Sequence, residues 1–248
     1  MKNSTKEIIN EINTYRDESK AAFLPRFFKT GKGEYGEGDQ FIGVVVPNLL
    51  AAGILGVPNL RVVAKKHFDA DFDTLRELLA SPYHEYRLTA LLALTYRYAK
   101  LKDHASRETC VNFYVSQVDA INNWDLVDLS CYKILGHWLF DKDKQLLYDW
   151  AKENHLWKQR IAMISCMHFV KQGEFKDALA IADLLQHHPH DLIHKAVGWI
   201  LREIGKEDEQ LLIDYLTPRY KEMPRTMLRY AIERFEEGKR KAFLNSMI

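Results

Sequence analysis

The sequence predicts an all-α fold, and three observations lead there. Seven of the 12 glycines, at 31, 33, 36, 38, 43, 53 and 56, crowd one short window, which leaves the rest of the chain almost free of helix breakers. That remainder carries apolar residues at helical spacing, and no useful length of it alternates as a half-buried strand would. Short helix-initial signatures then recur along it at a nearly constant interval. With 248 residues and 47% apolar content, the chain is long enough for a continuous core, which excludes a disordered protein.

Taken in order, residues 1–30 read as an N-terminal helical cap, 31–60 as a glycine-rich loop with an apolar insertion, and 61–243 as helical repeats, all within one domain spanning 1–248. The expected helices are Asp71–Ala80, His84–Ala99, Ala105–Val118, Trp124–Phe140, Asp143–Glu153, Leu156–Lys171, Phe175–Gln186, Asp191–Gly205, Glu207–Tyr220 and Pro224–Glu236. Asp191 precedes an apolar run as a capping residue does, Pro224 suits a first helical position, and Gly173 and Gly205 stand where glycines end helices. Within the insertion, Val46-Pro47-Asn48-Leu49 is echoed eleven residues later by Val57-Pro58-Asn59-Leu60. Eleven residues are about three helical turns, so this segment either lengthens a helix or forms a loop or partner contact.

The helices repeat. Arg160-Ile161-Ala162, Lys195-Ala196-Val197 and Arg229-Tyr230-Ala231 each set a basic residue before an apolar run, at spacings of 35 and 34 residues, and Arg87-Leu88-Thr89-Ala90 is an earlier copy. Between them, Asn123-Trp124-Asp125-Leu126-Val127-Asp128 replaces the basic residue with aromatic and acidic ones. A unit of this length matches a HEAT-like α-solenoid of two-helix repeats, whose second helices line a concave wall. One cation per repeat would make a basic groove suited to a polyanion backbone. The same pattern also arises when solenoid helices simply carry a polar residue near their N-termini.

Charge and cysteine content narrow the classes. Lys and Arg number 35 against 34 Asp and Glu, a net charge of +1, so a nucleic acid or membrane would have to be bound by a local patch. Cys110, Cys131 and Cys166 are odd in number and lack paired-ligand spacing, which argues against a disulfide scaffold or a cysteine zinc site and for a reducing interior. No signal peptide or spanning segment is evident, so a soluble, cytoplasmic protein is expected, bacterial in origin and without a membrane partner.

Several motifs have bland readings. Gly31-Lys32-Gly33-Glu34-Tyr35-Gly36 fits the dinucleotide pattern, but no strand precedes it and Glu37 and Asp39 would repel phosphate, so a turn-rich loop without a nucleotide cofactor is expected. His187, His188, His190 and His194 look like metal ligands, yet they fall at an inter-helix loop, and no metal is assigned. Cys166 reads as a core residue. Trp138, Trp150 and Trp157 are explained by helix packing. Trp124 and Trp199 share the repeat register, beside Asp128 and Arg202, and such aromatics suit a cationic or π-rich ligand such as a damaged base. The alternative for Asp128 is a structural one, a cap or a bridge between neighbouring helices through Arg160.

The chain resembles the DNA alkylation repair family, the AlkD-type DNA glycosylases built of HEAT-like repeats, over roughly residues 20–243. The resemblance rests on five ordered segments: Tyr35 to Val44, Asn122 to Asp128, Leu156 to Arg160, His194 to Glu203 and Pro224 to Ala231. It implies hydrolysis of the N-glycosidic bond of cationic alkylated purines, such as N3-methyladenine and N7-methylguanine, in duplex DNA, by a monomer without metal or organic cofactor. Family enzymes hold the deoxyribose instead of extruding the base. By this resemblance Trp124 and Trp199 flank the lesion's sugar, Asp128 is the catalytic carboxylate and Arg160 keeps it ionised, while Lys195, Arg202, Arg225 and Arg229 contact DNA. Asn123 stands where better-studied members carry a further tryptophan. Two other classes remain: a non-catalytic HEAT-repeat binder of branched or damaged DNA, and a protein scaffold.

Overall fold

Helix starts are written locally along the chain. In the computed structural model, which describes residues 4–44 and 57–245, Ser4 and Glu7 form a reciprocal capping box for α1 (Thr5–Asn13). Asp17 accepts from the Lys20 amide to start α2 (Glu18–Phe27). Pro58 occupies a first-turn position of α3 (Pro58–Lys66), where its missing N–H costs nothing, and Asp71 caps α4 (Phe72–Leu79). Then follow α5 (His84–Lys100), α6 (His104–Ser116, capped by Asp103) and α7 (Trp124–Cys131). Among the described residues no strand forms, and one isolated parallel bridge joins Gln40 to Tyr83. The expected all-α class is what the chain adopts. The apolar insertion lies largely outside the described residues; its second echo, Val57 to Leu60, opens α3.

The chain divides into two compact units, Met1–Ser130 and Cys131–Ile248. In the first, α5 is the central helix. Helices α1, α3, α4 and α6 all lie against it, so residues on almost every side, including Leu88, Leu91, Leu92 and Leu94, are buried. Full burial of each such leucine stabilises the fold by about 1.5–3 kcal/mol.

The second unit holds α8 (His137–Leu139), α9 (Gln145–Lys152), α10 (Leu156–Ser165), α11 (Met167–Val170), α12 (Lys176–Leu185), α13 (Asp191–Glu207), α14 (Glu209–Leu216), α15 (Arg225–Ala231) and α16 (Glu237–Leu244). Helices α10, α13 and α15 contact one another in succession, and α9 contacts α12 beside them, the two-layer stacking expected of an α-solenoid.

Several boundaries differ from the sequence expectation. After α7 the chain widens into a π turn over Tyr132–Gly136, and the expected Leu156–Lys171 helix breaks at Cys166. His190, not Asp191, caps α13, its ring nitrogen accepting from the Leu192 amide. Gly173 ends a helix as expected, with φ 79°, but Gly205 lies inside α13, which runs on until Asp208 caps α14. Pro224 is the N-cap of α15 and not its first residue, and Glu236 starts a further helix, α16, by accepting from the Gly238 and Lys239 amides.

Candidate functional site

Trp124 opens α7 and Asp128 follows four residues later, one turn along the same face; both are half-buried. The indole of Trp124 stacks on Phe28, with centroids 5.7 Å apart and planes at 19°, and meets Phe27 edge-on at 6.1 Å. Phe28 stacks in turn on Phe41 at 5.0 Å and lies 4.7 Å from the His84 ring. Trp124 is therefore the outer plate of an aromatic stack rooted in the core of the first unit.

Beneath it lies a buried charge cluster. His84 Nε2 donates to Asp125 Oδ2 at 2.7 Å, and His84 Nδ1 lies 3.4 Å from Asp39 Oδ2. Arg87 Nη2 donates to Asp39 Oδ1 at 2.6 Å, and Asn123 Nδ2 to Asp39 Oδ2 at 3.1 Å. Asn123 Oδ1 accepts the Trp124 backbone N–H at 2.9 Å. Burial disfavours a charge on His84, but Asp125 and Asp39 outweigh it and raise the imidazole pKa to about 9. Burial likewise opposes ionisation of Asp39, and His84 and Arg87 reverse that, holding its carboxyl below the usual range. Two cations and two carboxylates thus neutralise one another.

The glycine-rich segment is tied to the same helix. Glu85, fully buried, accepts the amides of Ile42, Gly43 and Val44 at 3.1, 2.9 and 3.2 Å. Gly43 has φ +87°, and a Cβ there would stand 1.9 Å from the Asp17 carbonyl, so the loop closes on α2 only with glycine at this position. No local sequence motif marks His84, Glu85, Asp39 and Asp125 as site residues. The repeat register sets Arg87 and Arg160 along a basic groove, but both are buried, Arg87 at 5% exposure because Asp39 draws its guanidinium inward.

In the second unit, Arg160 on α10 is 4% exposed and donates to the Leu192 carbonyl in the first turn of α13. Lys195, Trp199 and Arg202 follow at i, i+4 and i+7 on one face of α13, all half-buried. Lys195 Nζ is 2.7 Å from Asp191, and Arg202 pairs with Glu233 and, at 3.6 Å, with Glu203. Gly198 lets α13 and α15 meet closely, since a Cβ there would stand 2.5 Å from both the Met227 carbonyl and Tyr230 Cβ. On α15, Arg225 is exposed and donates to the Leu244 carbonyl at 2.8 Å, and Arg229 is exposed.

The remaining motifs are structural. His188 and His190 use Nδ1 to accept the His190 and Leu192 amides, which shapes the turn before α13. Among the described residues no three His, Cys, Asp or Glu side chains gather as metal ligands. Cys166 is buried, donates to the Ala162 carbonyl, and has its thiol pKa pushed up by burial. Trp150 and Trp157 are buried, and Lys142 covers the ring of Trp138 at 4.3 Å. No described helix is long and apolar enough to cross a membrane.

Comparison with known proteins adds to this geometry. A search of curated proteins finds no match. Among solved structures, a predicted DNA alkylation repair enzyme from Enterococcus faecalis superposes with a TM-score of 0.64 at 14% identity, covering 90% of this chain and 97% of that one, a similarity of fold. The sequence profile of the DNA alkylation repair enzyme family matches residues 8–235. The chain belongs to the DNA alkylation repair enzyme family.

Proposed function

We propose that this protein is a monofunctional DNA glycosylase of HEAT-like architecture, a hydrolase of N-glycosyl bonds that acts on cationic alkylated purines in duplex DNA, N3-methyladenine and N7-methylguanine among them. Its family makes DNA repair the general activity. The observation that carries the finer reading is the pair on α7, a rigidly backed indole and a carboxylate one turn apart, both still reachable by solvent.

The chemistry fits these groups. A cationic purine is already a good leaving group, so no strong acid is required. The C1′–N bond breaks with its electron pair passing to the purine, which leaves neutral, and positive charge develops on the sugar. Asp128 stabilises that charge and orients a water; the water oxygen bonds to C1′ and its proton passes to the carboxylate. The face of Trp124 contributes cation–π attraction to the same charge. Trp199 supplies a second aromatic face and Arg160 a buried guanidinium, while Lys195, Arg202, Arg225 and Arg229 take phosphates.

The test is release of methylated purines from alkylated duplex DNA by excess enzyme in a single turnover. Free methylated purine and an equal yield of abasic sites are expected, without added metal. Binding with no release would make the protein a non-catalytic DNA binder.

A further inference from the structure

Burying four charged groups beneath one tryptophan is a poor route to stability, because a well-packed apolar replacement of a buried ion pair is often as stable or more so. What such a network offers is direction. Ring stacking holds Trp124 against Phe28 and Phe27, but stacking contributes only about 0.5–1.5 kcal/mol and tolerates sliding. Hydrogen bonds to fixed charges do not slide.

We propose that Asn123, Asp39 and His84 form a positioning relay that sets the orientation of Trp124; its catalytic consequence rests on the glycosylase reading above. Asn123 uses both ends of its amide, Nδ2 donating to Asp39 and Oδ1 accepting from the Trp124 backbone. The two partners fix which end faces which, since an ionised Asp39 only accepts and a backbone N–H only donates. Asp39 is itself pinned by the His84 imidazole and the Arg87 guanidinium, and His84 by Asp125. Asp125 Oδ1 closes the device by accepting the Leu126 amide at 2.9 Å, so both residues flanking Trp124 are tied to buried charge. Burial keeps water from substituting for these partners: Asn123, His84 and Asp125 have no exposed surface. None of these groups contacts solvent freely enough to touch a substrate, so they act through Trp124.

The discriminating variant is Asn123→Asp. Asp and Asn are equally good at a helix start, so the role of residue 123 there is kept. What changes is the end facing Asp39, where a carboxylate now meets a carboxylate. Two readouts are taken: the indole N–H resonance of Trp124 in a two-dimensional proton–nitrogen spectrum, assigned by its loss in Trp124→Phe, and single-turnover excision normalised to folded protein.

In Asn123→Asp the Trp124 resonance shifts, that of Trp199 stays, and excision slows about tenfold with DNA affinity unchanged, as a misplacement well under 1 Å would cause. An unmoved Trp124 resonance, or a rate loss that matches only the unfolded fraction, overturns the relay. If Asn123→Asp does not fold, Asn123→Ser, which also starts a helix but cannot reach Asp39, is judged by the same two readouts. Should the wild type release no purine, the glycosylase reading falls while the resonance still decides the positioning.

Discussion

Trp124 and Trp199, both half-buried, are held by different physics. Trp124 sits on an aromatic stack above paired charges, and its backbone is tied to them through Asn123. Trp199 rides a long helix whose place is set by contact distance, with Gly198 admitting α15 to within a Cβ's reach and cations along the same face already paired with Asp191, Glu203 and Glu233. The first arrangement should therefore respond to charge and pH, and the second to volume. Rigid aromatic faces are obtained either way, but in the first the tryptophan's own backbone is tied to a buried charge through a side-chain amide.

The largest effect that would break this contrast is at Asp125. Asp125→Ala removes the nearer carboxylate from a fully buried imidazolium and should cost about 3–5 kcal/mol in denaturant unfolding. A loss under 1 kcal/mol would mean that His84 is not charged in the fold. Next is Gly198→Ala. Helix propensity alone favours the change by about 1 kcal/mol, but overpacking against Met227 and Tyr230 costs about 1–3 kcal/mol, so a net lowering of Tm is expected. A stabilised variant would show that α13 and α15 are not held by close approach.

The pH response is gentler. Because the folded-state pKa of His84 is raised, its contribution is complete below the ordinary histidine value near 6.5 and is lost as pH rises through about 9. Tm should fall across that interval, and Asp125→Asn should flatten the fall. The smallest effect sharpens the second region. Arg229→Ala should reduce the salt dependence of duplex DNA binding by roughly one ion, and Lys195→Ala by less, since Asp191 already neutralises that lysine. Equal slopes for both would mean that the Asp191 pair opens on binding.

How much of this was legible in the sequence follows from the range of each interaction. Helices were readable because glycines gather before residue 57 and apolar periodicity is local. Trp124 and Asp128 stood out through a motif within one helical turn. The charge cluster did not, because its bonds join residues far apart in the chain: His84 and Asp125 are 41 residues apart, Arg87 and Asp39 48. Arg87 and Arg160 share a register with the basic residues at 195 and 229, but a distant carboxylate draws the first inward and the Leu192 carbonyl the second. Boundaries slipped for a related reason. At α13 a histidine ring took the capping amide that an aspartate beside it seemed placed to take, and Gly205 was absorbed because Asp208 terminates that helix.

The most direct test of the glycosylase reading is Asp128→Asn in single-turnover excision of methylated purines from duplex DNA. The amide is nearly isosteric and still accepts a hydrogen bond, so a capping or packing role would survive the change. Loss of a carboxylate needed in the transition state should lower the excision rate by about 10² or more, with DNA affinity and Tm close to wild type. An Asp128→Asn protein that excises as fast as wild type would contradict the mechanism proposed for α7.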